Sequence, residues 1–590
     1  MTIPAEARAK ALPISPEPHA SYLFKINGTE YDLSVVSFNV QEQISSPFEI
    51  DITVATQDEV VLEHLLDRSG LLTIRYGLSE RYFHGVVKEC TCFGDNGDYS
   101  IFQIYLVPSL WLLSLEQDCR IFQDMNAQDI VCRILQEGGI DGNEVRLALK
   151  DTDRMRGYCV QYRETDLNFI SRLLEEEGIF YFFEHYQDKH VLVLADNPSA
   201  YLRIKGESQI RFNVSGGMVP AEESVSSFVY SHRLYPGKIT QKDFNYMRVG
   251  LDLTVENPTK KPSHREVYDY PGQYFKQHKG NLATQIHKER IQIIGETAEG
   301  MSNCPRISPC CVWTLTNNDF AGEYVTVGVS HSGSQPQVLG EQAGRGGFSY
   351  SNNFVVIPSD MVIRPQLSAE KPVISGVQTA TVVGPEGDEI HTDKYGRVRV
   401  QFHWSRPGKY AGQNSGMIRV AQSWVGLGRG AQYIPRIGDE VLVEFAEGDP
   451  DRPIVTGSVY NGDNLPINNL DKSVTQSGFR TKSHRGEGFN ELRFDDKIGG
   501  EEIYIHCEKD FNVTIKNNES EQIGNDLAIH VGKNATITAG EQLRLICGNA
   551  SIVLDQSGKI VIQGSEVFIS GSGTVHVDGK PIQLNMGGTF

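Results

Sequence analysis

Two groups of cysteines stand close enough to be weighed as ligands, among ten spread over 590 residues. Cys90 and Cys92 lie two apart in the strand-like run VVKECTCF, which puts both thiols on one face. Cys304, Cys310 and Cys311 fall in CPRISPCC with no histidine nearby. A structural zinc site takes four ligands at regular spacing. Neither group supplies them, so the cysteines read as reduced, mostly buried thiols of a cytoplasmic chain. The nearest thing to a carboxylate cluster is Glu175, Glu176 and Glu177. Three consecutive residues on a helix point in three directions, so these acids read as a solvated or subunit-facing surface. Gly426 and Gly428 run on into Arg429 and Gly430 with no strand before and no helix after, which is not a dinucleotide fingerprint. HExxH, P-loop, GxSxG and paired CxxC patterns are absent. The expectation is a chain with no catalytic, cofactor-binding or metal-ligating residues, and not an enzyme.

Charge narrows the partners. With 75 acidic and 55 basic residues the net charge is -20, which repels phosphate backbones and anionic membranes. Nucleic acid is therefore excluded as a partner. The opening MTIPAEARAKALPISPEPHA has no apolar core, and no later run approaches the roughly 20 apolar residues of a membrane span. The chain is expected to be neither Sec-exported nor membrane-anchored.

The elements that would position any site are mainly strands. Length implies several domains, and Gly 57 against Pro 25 fits many tight turns. Two helices are signalled within residues 21 to about 200. The first has Asn126 as N-cap, Asp129 at N3, a stripe of Ile130, Val131, Ile134 and Leu135, and a stop at Gly138-Gly139. The second runs from Thr165 to Gly178 over Leu167, Ile170, Leu173 and Leu174. Residues 205 to 375 are irregular, with strand-like EYVTVGVSH and NFVVIP and a Gly-rich GEQAGRGGF between them. At 376 to 460, four runs (RVRVQF, MIRVAQ, EVLVEF and PIVTGSVY) suggest a small closed barrel of OB type. Val398, Val400, Phe402 and Trp404 form its apolar face, opposite Arg397, Arg399, Gln401 and His403. Two arginines on an acidic chain make that barrel structural instead of nucleic-acid-binding.

The last ninety residues repeat every eight. Glycine stands at 524, 532, 540, 548 and 564, and five places after each octad start comes Ile529, Ile537, Leu545, Val553, Val561, Ile569 and Val577. Two places before these stand Leu527, Ala535 and Leu543, then Ser551 and Lys559, then Val567 and Val575. Gln556 replaces the expected glycine, with Gly558 nearby, which marks an altered turn. An even period returns equivalent residues to one face of a strand. Eight residues reach only about 26 Å including a turn, too short for one chain to wrap its own core. Three intertwined chains close the core and pair every edge. The expected trimer core is the seven-residue apolar series, and the glycines Gly524, Gly532, Gly540, Gly548 and Gly564 are the repeat turns. A single-chain β-helix is disfavoured because its coils take about twenty or more residues.

These features resemble the VgrG (valine-glycine repeat) family over nearly the whole chain. The resemblance rests on FHGVV, YLVPSLWLL, RIFQ, QYRETDLNFISRLLEEEGIFYFFEH and YDYPGQY in the first half. It is strongest in DKYGRVRVQFHW and PRIGDEVLVEFAEGDPDRPIVTGSVYN, and extends to NELRFDDKIGGEEIYIHCEKD. It implies a mainly β, multidomain homotrimer made of a leader (1-20), a phage-hub-like domain with a few helices (21-375), an OB-fold (376-463), a neck (464-500), a triple-stranded β-helix needle (501-580) and a tip segment (581-590). By resemblance the hub caps a stacked Hcp tube beside baseplate proteins, and a PAAR-repeat protein sits on the tip, where Ile582, Leu584 and Met586 are candidate contacts. Sheath contraction would then drive the needle mechanically through a target membrane. The chain would be cytoplasmic before firing and secreted without a signal peptide into the medium or a target cell. Cys310-Cys311 stand where Pro-Gly is more usual in the family, so the local hub loop is expected to differ. Residues 462 to 500 leave no room for the lysozyme domain of related phage spikes, and the chain stops soon after its last octad. Effector activity is therefore expected on separate cargo proteins. The rival in the same class is a spike of a phage or of an extracellular contractile particle; the rival in another class is an effector enzyme assembled from distant residues.

Overall fold

The structure is a computed structural model that describes residues 21–583 except 77–78, 96–98, 151–153, 214–221, 261–263, 337, 340–347 and 407–414. The expected leader, nearly all of the GEQAGRGGF loop, Leu584 and Met586 lie outside the described residues. The chain divides into two units, Met1–His506 and Cys507–Phe590.

A 13-stranded sheet organises the first unit. One part is made by the strands Ser21–Ile26, Ser69–Tyr76, Ser79–Asp95, Ser100–Val107, Glu49–Thr56 and Ser34–Gln43. Ser34–Gln43 then pairs antiparallel with Gly322–Ser334, which joins this part to strands from residues 202–358. Period-two alternation carries the packing. In Glu49–Thr56, for instance, Ile50, Ile52 and Val54 are buried and contribute to the main apolar cluster. The strand-like EYVTVGVSH and NFVVIP runs are the strands Gly322–Ser334 and Ser349–Pro358.

Both anticipated helices form with the anticipated caps. Helix α1 is Ala127–Glu137, where the Asn126 side chain accepts from the Asp129 amide at 2.7 Å. Helix α2 is Asp166–Glu177, where the Thr165 hydroxyl accepts from the Asn168 amide at 3.1 Å. It ends on Gly178 at φ +70°. A Cβ at Gly178 would also meet the Ile286 side chain at 2.7 Å, so both backbone and packing call for glycine. Ile286 belongs to helix α3, Gln277–Gly295, the longest of the three α-helices among the described residues and the one the sequence did not signal. Its N-cap is Lys276 with no side-chain cap bond, and its buried positions include Gly280, Thr284 and Arg290, which blur an apolar stripe. Gly280 is there because Tyr274 lies against it: a Cβ would meet that ring at 2.6 Å.

The acids at the end of α2 are not a solvated face, contrary to expectation. Glu175 is buried and accepts from the Ser368 amide at 2.9 Å and the Ser368 hydroxyl at 2.6 Å. Glu176 accepts from Arg156 at 2.7 Å, and Glu177 pairs with the same guanidinium. The three do point three ways, but each way leads to a protein donor. Burial alone would raise the Glu176 carboxyl; Arg156, Lys371 and Arg172 outweigh it and hold it down at about 2.

The small barrel has five strands. Arg399–Phe402, Gln378–Val383, Glu440–Phe445, Pro453–Val459 and Arg419–Val420 follow in that spatial order, and a Val398 to Ile418 bridge closes the ring. The strand missing from the sequence reading is Gln378–Val383, whose QTATVV is too polar to signal itself. Val398, Val400 and Phe402 are buried as expected, in a core that also takes Ile121 and Val160 from outside the barrel.

Salt bridges and charge-assisted bonds fix that junction. Asp451 accepts from the Val160 amide at 2.7 Å and from Lys371 Nζ at 2.8 Å; Lys371 also reaches Asp449 at 2.8 Å. Arg452 donates to Asp243 at 2.7 Å, and that carboxylate is fully buried. Asp449, Asp451 and Arg452 come from the EGDPDRP block. Replacing Asp451→Ala strands the Val160 amide and leaves Lys371 with one carboxylate partner instead of two. It should cost about 2–3 kcal/mol, read as a lower thermal midpoint of the full chain; an unchanged midpoint would show that the joint bears no stability.

Candidate functional site

The unit Cys507–Phe590 contains no buried residue among its described residues. Among its described residues the strands form an antiparallel meander of Gln542–Cys547, Ala550–Asp555 and Ile560–Gln563. Of the expected core series, Ile529, Ile537, Ile569 and Val577 lie outside these strands and are 74%, 74%, 73% and 66% exposed. Leu545, Val553 and Val561 lie inside the meander. There Val553 is opposite both Arg544 and Val561, whereas Leu545 is opposite Ile552, so the structure brings Val553 and Val561 together and puts Leu545 on the other face.

Added Cβ atoms at Gly524, Gly532 and Gly540 would meet nothing within 4 Å, Gly548 has φ +52°, and a Cβ at Gly564 would meet the Glu566 carbonyl at 3.2 Å. Ile582 is exposed. Water-exposed aliphatic side chains without a core of their own do not make a stable unit. Such a surface is an association site.

A second constellation went unread in the sequence. Glu42 is buried, with Arg81 at 3.0 Å, His185 Nε2 at 3.3 Å and His331 Nε2 at 3.4 Å. Beside it His84 Nδ1 lies 3.0 Å from His190 Nδ1, and His190 Nε2 accepts from the Ser109 amide at 3.0 Å. Burial would raise the Glu42 carboxyl, but Arg81 and the two imidazoles hold it well below the usual carboxylate range. Burial, with the neighbouring His185, lowers His84 to about 4 and His190 to about 3, so both are neutral at pH 7. The group ties together strands 34–43, 79–95, 180–185, 190–195 and 322–334. Its signal was available locally: Glu42 continues the inward register of Phe38 and Val40, and His331 that of Val329.

The cysteines are placed as single thiols. Cys304, Cys310 and Cys311 are buried, Cys90 is half-buried and Cys92 exposed, all unpaired. Burial pushes the Cys90 thiol up to about 11 and raises Cys304 and Cys310 further, so none is a ready thiolate. Cys310 sits at φ +62°, a conformation that favours glycine. No group of three or more His, Cys, Asp or Glu side chains is placed to hold a metal ion among the described residues.

Three family models match the chain. Residues 41–337 match the phage tail baseplate hub (GPD), 378–460 the type VI secretion system/phage-baseplate injector OB domain, and 477–583 the bacteriophage T4 gp5 C-terminal trimerisation domain. The type VI secretion system spike protein VgrG1a of Pseudomonas aeruginosa is 33% identical, over 93% of this chain and 92% of that protein. The spike protein VgrG1c of the same organism is 36% identical over 80% of this chain and 66% of its own length. The actin cross-linking toxin VgrG1 of Vibrio cholerae is 33% identical over 96% of this chain and 55% of that protein. Among solved structures, the Escherichia coli c3393 protein, described as a type VI secretion component similar to phage T4 gp27 and gp5, aligns with TM-score 0.55 and 23% identity, over 74% of this chain and all of that one. A chain of the Francisella PdpA-VgrG complex aligns with TM-score 0.56 and 9% identity, over 93% of this chain and 80% of that one. These two show a shared fold.

The histidines set an acid limit. Their folded values, about 4 for His84 and about 3 for His190, lie below the unfolded value of about 6.5. The unfolded chain therefore binds more protons. Their contribution is complete above about pH 6.5 and is lost as pH falls toward 4, at up to about 1.4 kcal/mol per pH unit for each. Thermal midpoints between pH 7 and 4.5 should fall, and a His84→Gln, His190→Gln chain should fall less steeply. Equal slopes would sink the assignment.

Proposed function

We propose, since the chain belongs to the VgrG family of type VI secretion system spike proteins, that its C-terminal repeat is a three-chain needle and its first unit the base that caps an Hcp tube. One observation carries this reading: the repeat unit buries nothing by itself while its sequence matches a trimerisation domain. Three copies bring together three sets of Ile529, Ile537, Leu545 and their successors, and convert exposed aliphatic surface into core. At roughly 2 kcal/mol for each of seven side chains, that is about 14 kcal/mol per chain before entropy, so trimer formation and needle folding are one event.

The work is mechanical. A trimer carries a net charge of 3 × (-20), or -60, and has no electrostatic affinity for anionic bilayers; entry into a target cell needs force from a contracting sheath. A PAAR-repeat protein at the tip, with Ile582, Leu584 and Met586 as its platform, and baseplate proteins around the base complete the particle. Effectors travel as separate cargo. The spike resides in the cytoplasm until it is fired into the medium or a target cell. The phage-spike alternative is less favoured because its relatives at 33–36% identity are type VI proteins.

Two deletions test the needle. Removing Gly532 to Ala539 takes out one octad and leaves every later side chain on its face; removing Gly532 to Thr538 takes out seven residues and turns all of them over. The first chain should remain an SDS-resistant trimer by gel and light scattering, with tagged protein recovering Hcp from a producing strain. The second should lose the trimer. If both behave alike, the eight-residue period is not structural; if the intact chain is a monomer, the needle reading fails outright.

Delivery without chemistry is tested separately: the purified chain should turn over neither peptidoglycan nor phospholipid. Turnover abolished by a single substitution would refute it.

A further inference from the structure

A strict eight-residue period makes an awkward core in the middle of the repeat. It turns Ser551 and Lys559 inward and leaves Ile552, Leu554, Ile560 and Ile562 in water. Burying an unpaired ammonium while exposing four aliphatic side chains inverts what both groups prefer.

The meander resolves this. Leu545 lies opposite Ile552 and Leu543 opposite Leu554, while Ile552 and Leu554 lie opposite Ile562 and Ile560. Directly opposed residues share a face. One face of the sheet is therefore wholly aliphatic through these six residues. The other carries Arg544, Asp555 and Gln563 among its members, with Val553 and Val561. The change of parity occurs at the Gly548-Asn549 turn, between the paired Cys547 and Ala550, where Gly548 takes φ +52°. The altered turn at Gln556 belongs to the same event, because Gly558, at φ +82°, supplies the left-handed residue there.

We infer that the threefold core of the needle slips by one residue for two octads, so that Ile552, Leu554, Ile560 and Ile562 face the same residues of two further copies of this chain. Val553 and Val561 face outward there. Along the core the steps from Leu545 to Ile552, to Ile560 and to Ile569 are 7, 8 and 9 residues, which sum to 24 or three octads, so Ile569 and Val577 regain the original register. A seven-residue deletion is never made good in this way; the chain's own slip is. The occupant of the aliphatic face is a further copy because the face lies inside the stretch that matches a trimerisation domain, 477–583. The inference rests on the trimeric reading and revises which residues of Val553, Val561 and their neighbours line its core.

The test compares two full-length double variants on the same two strands. Ile552→Asn with Ile560→Asn should reduce the SDS-resistant trimer at least tenfold. Val553→Asn with Val561→Asn should leave it within twofold of the parent, and Lys559→Leu should also keep it. The reverse order overturns the slip and restores a strict octad, and equal losses overturn it as well. A parent chain that is itself monomeric would instead overturn the trimeric reading. Near-ultraviolet circular dichroism of each variant, reporting the aromatic-rich first unit, separates loss of the needle from general misfolding.

Discussion

The rest of this molecule depends on a shortage of width. An octad of strand and turn spans too little to enclose side chains, and the consequence is a C-terminal unit in which every described residue remains at least partly open to solvent. Folding and association cannot be separated in such a unit. The apolar series that would be an aggregation hazard on a lone chain becomes a dry interior only when other copies supply the missing walls. Oligomeric state is thus set by covalent geometry and period, before any particular interface contact is considered.

The first unit solves its packing in the ordinary way, with a wide sheet, two capped helices and a closed barrel, and then spends polar groups on orientation. Arg120 donates to Gln161, Glu137 and Asp166 at 2.8, 2.6 and 2.6 Å while almost completely buried. Arg172 binds Glu164 and the Val160 carbonyl at 2.8 Å each. Buried ion pairs add little net stability over apolar packing, but their bonds are directional and a partner left alone is costly. They therefore discriminate among arrangements more than they strengthen any one.

Legibility followed locality. The helix caps at Asn126 and Thr165 and the stop at Gly178 are written within a few residues, and four of the five barrel strands lie in apolar runs, so these could be read directly; the polar Gln378–Val383 could not. Helix α3 could not, because its buried positions include Gly280, Thr284 and Arg290, whose reasons lie in Tyr274 and in the Pro365 and Glu175 carbonyls that Arg290 binds. In the Glu42 cluster only the inward register of Glu42 and His331 was local; that they meet Arg81, His185 and each other was hidden, because the members come from five strands far apart in sequence. The acids of α2 were misread because like charges in a row suggest solvent only when nothing else is known of their neighbours; Arg156 and Ser368 are not visible from the helix. In the repeat, the period was evident, while the pairing that sets Leu545 opposite Ile552 and Val553 opposite Val561 was not.

These two styles of construction suit different parts of a spike. Dispersion and apolar burial are nearly indifferent to small rotations, which suits a needle whose chains are held by winding and by edge pairing along its length. The first unit has the opposite requirement, since its barrel must be held in direction as well as in distance. Asp451, with Lys371 on one side and the Val160 amide on the other, meets it by holding the barrel at two points of fixed length. The Arg452 bond to Asp243 adds a third on another segment. Bonds to charged groups are the strongest and most directional the chain can place there.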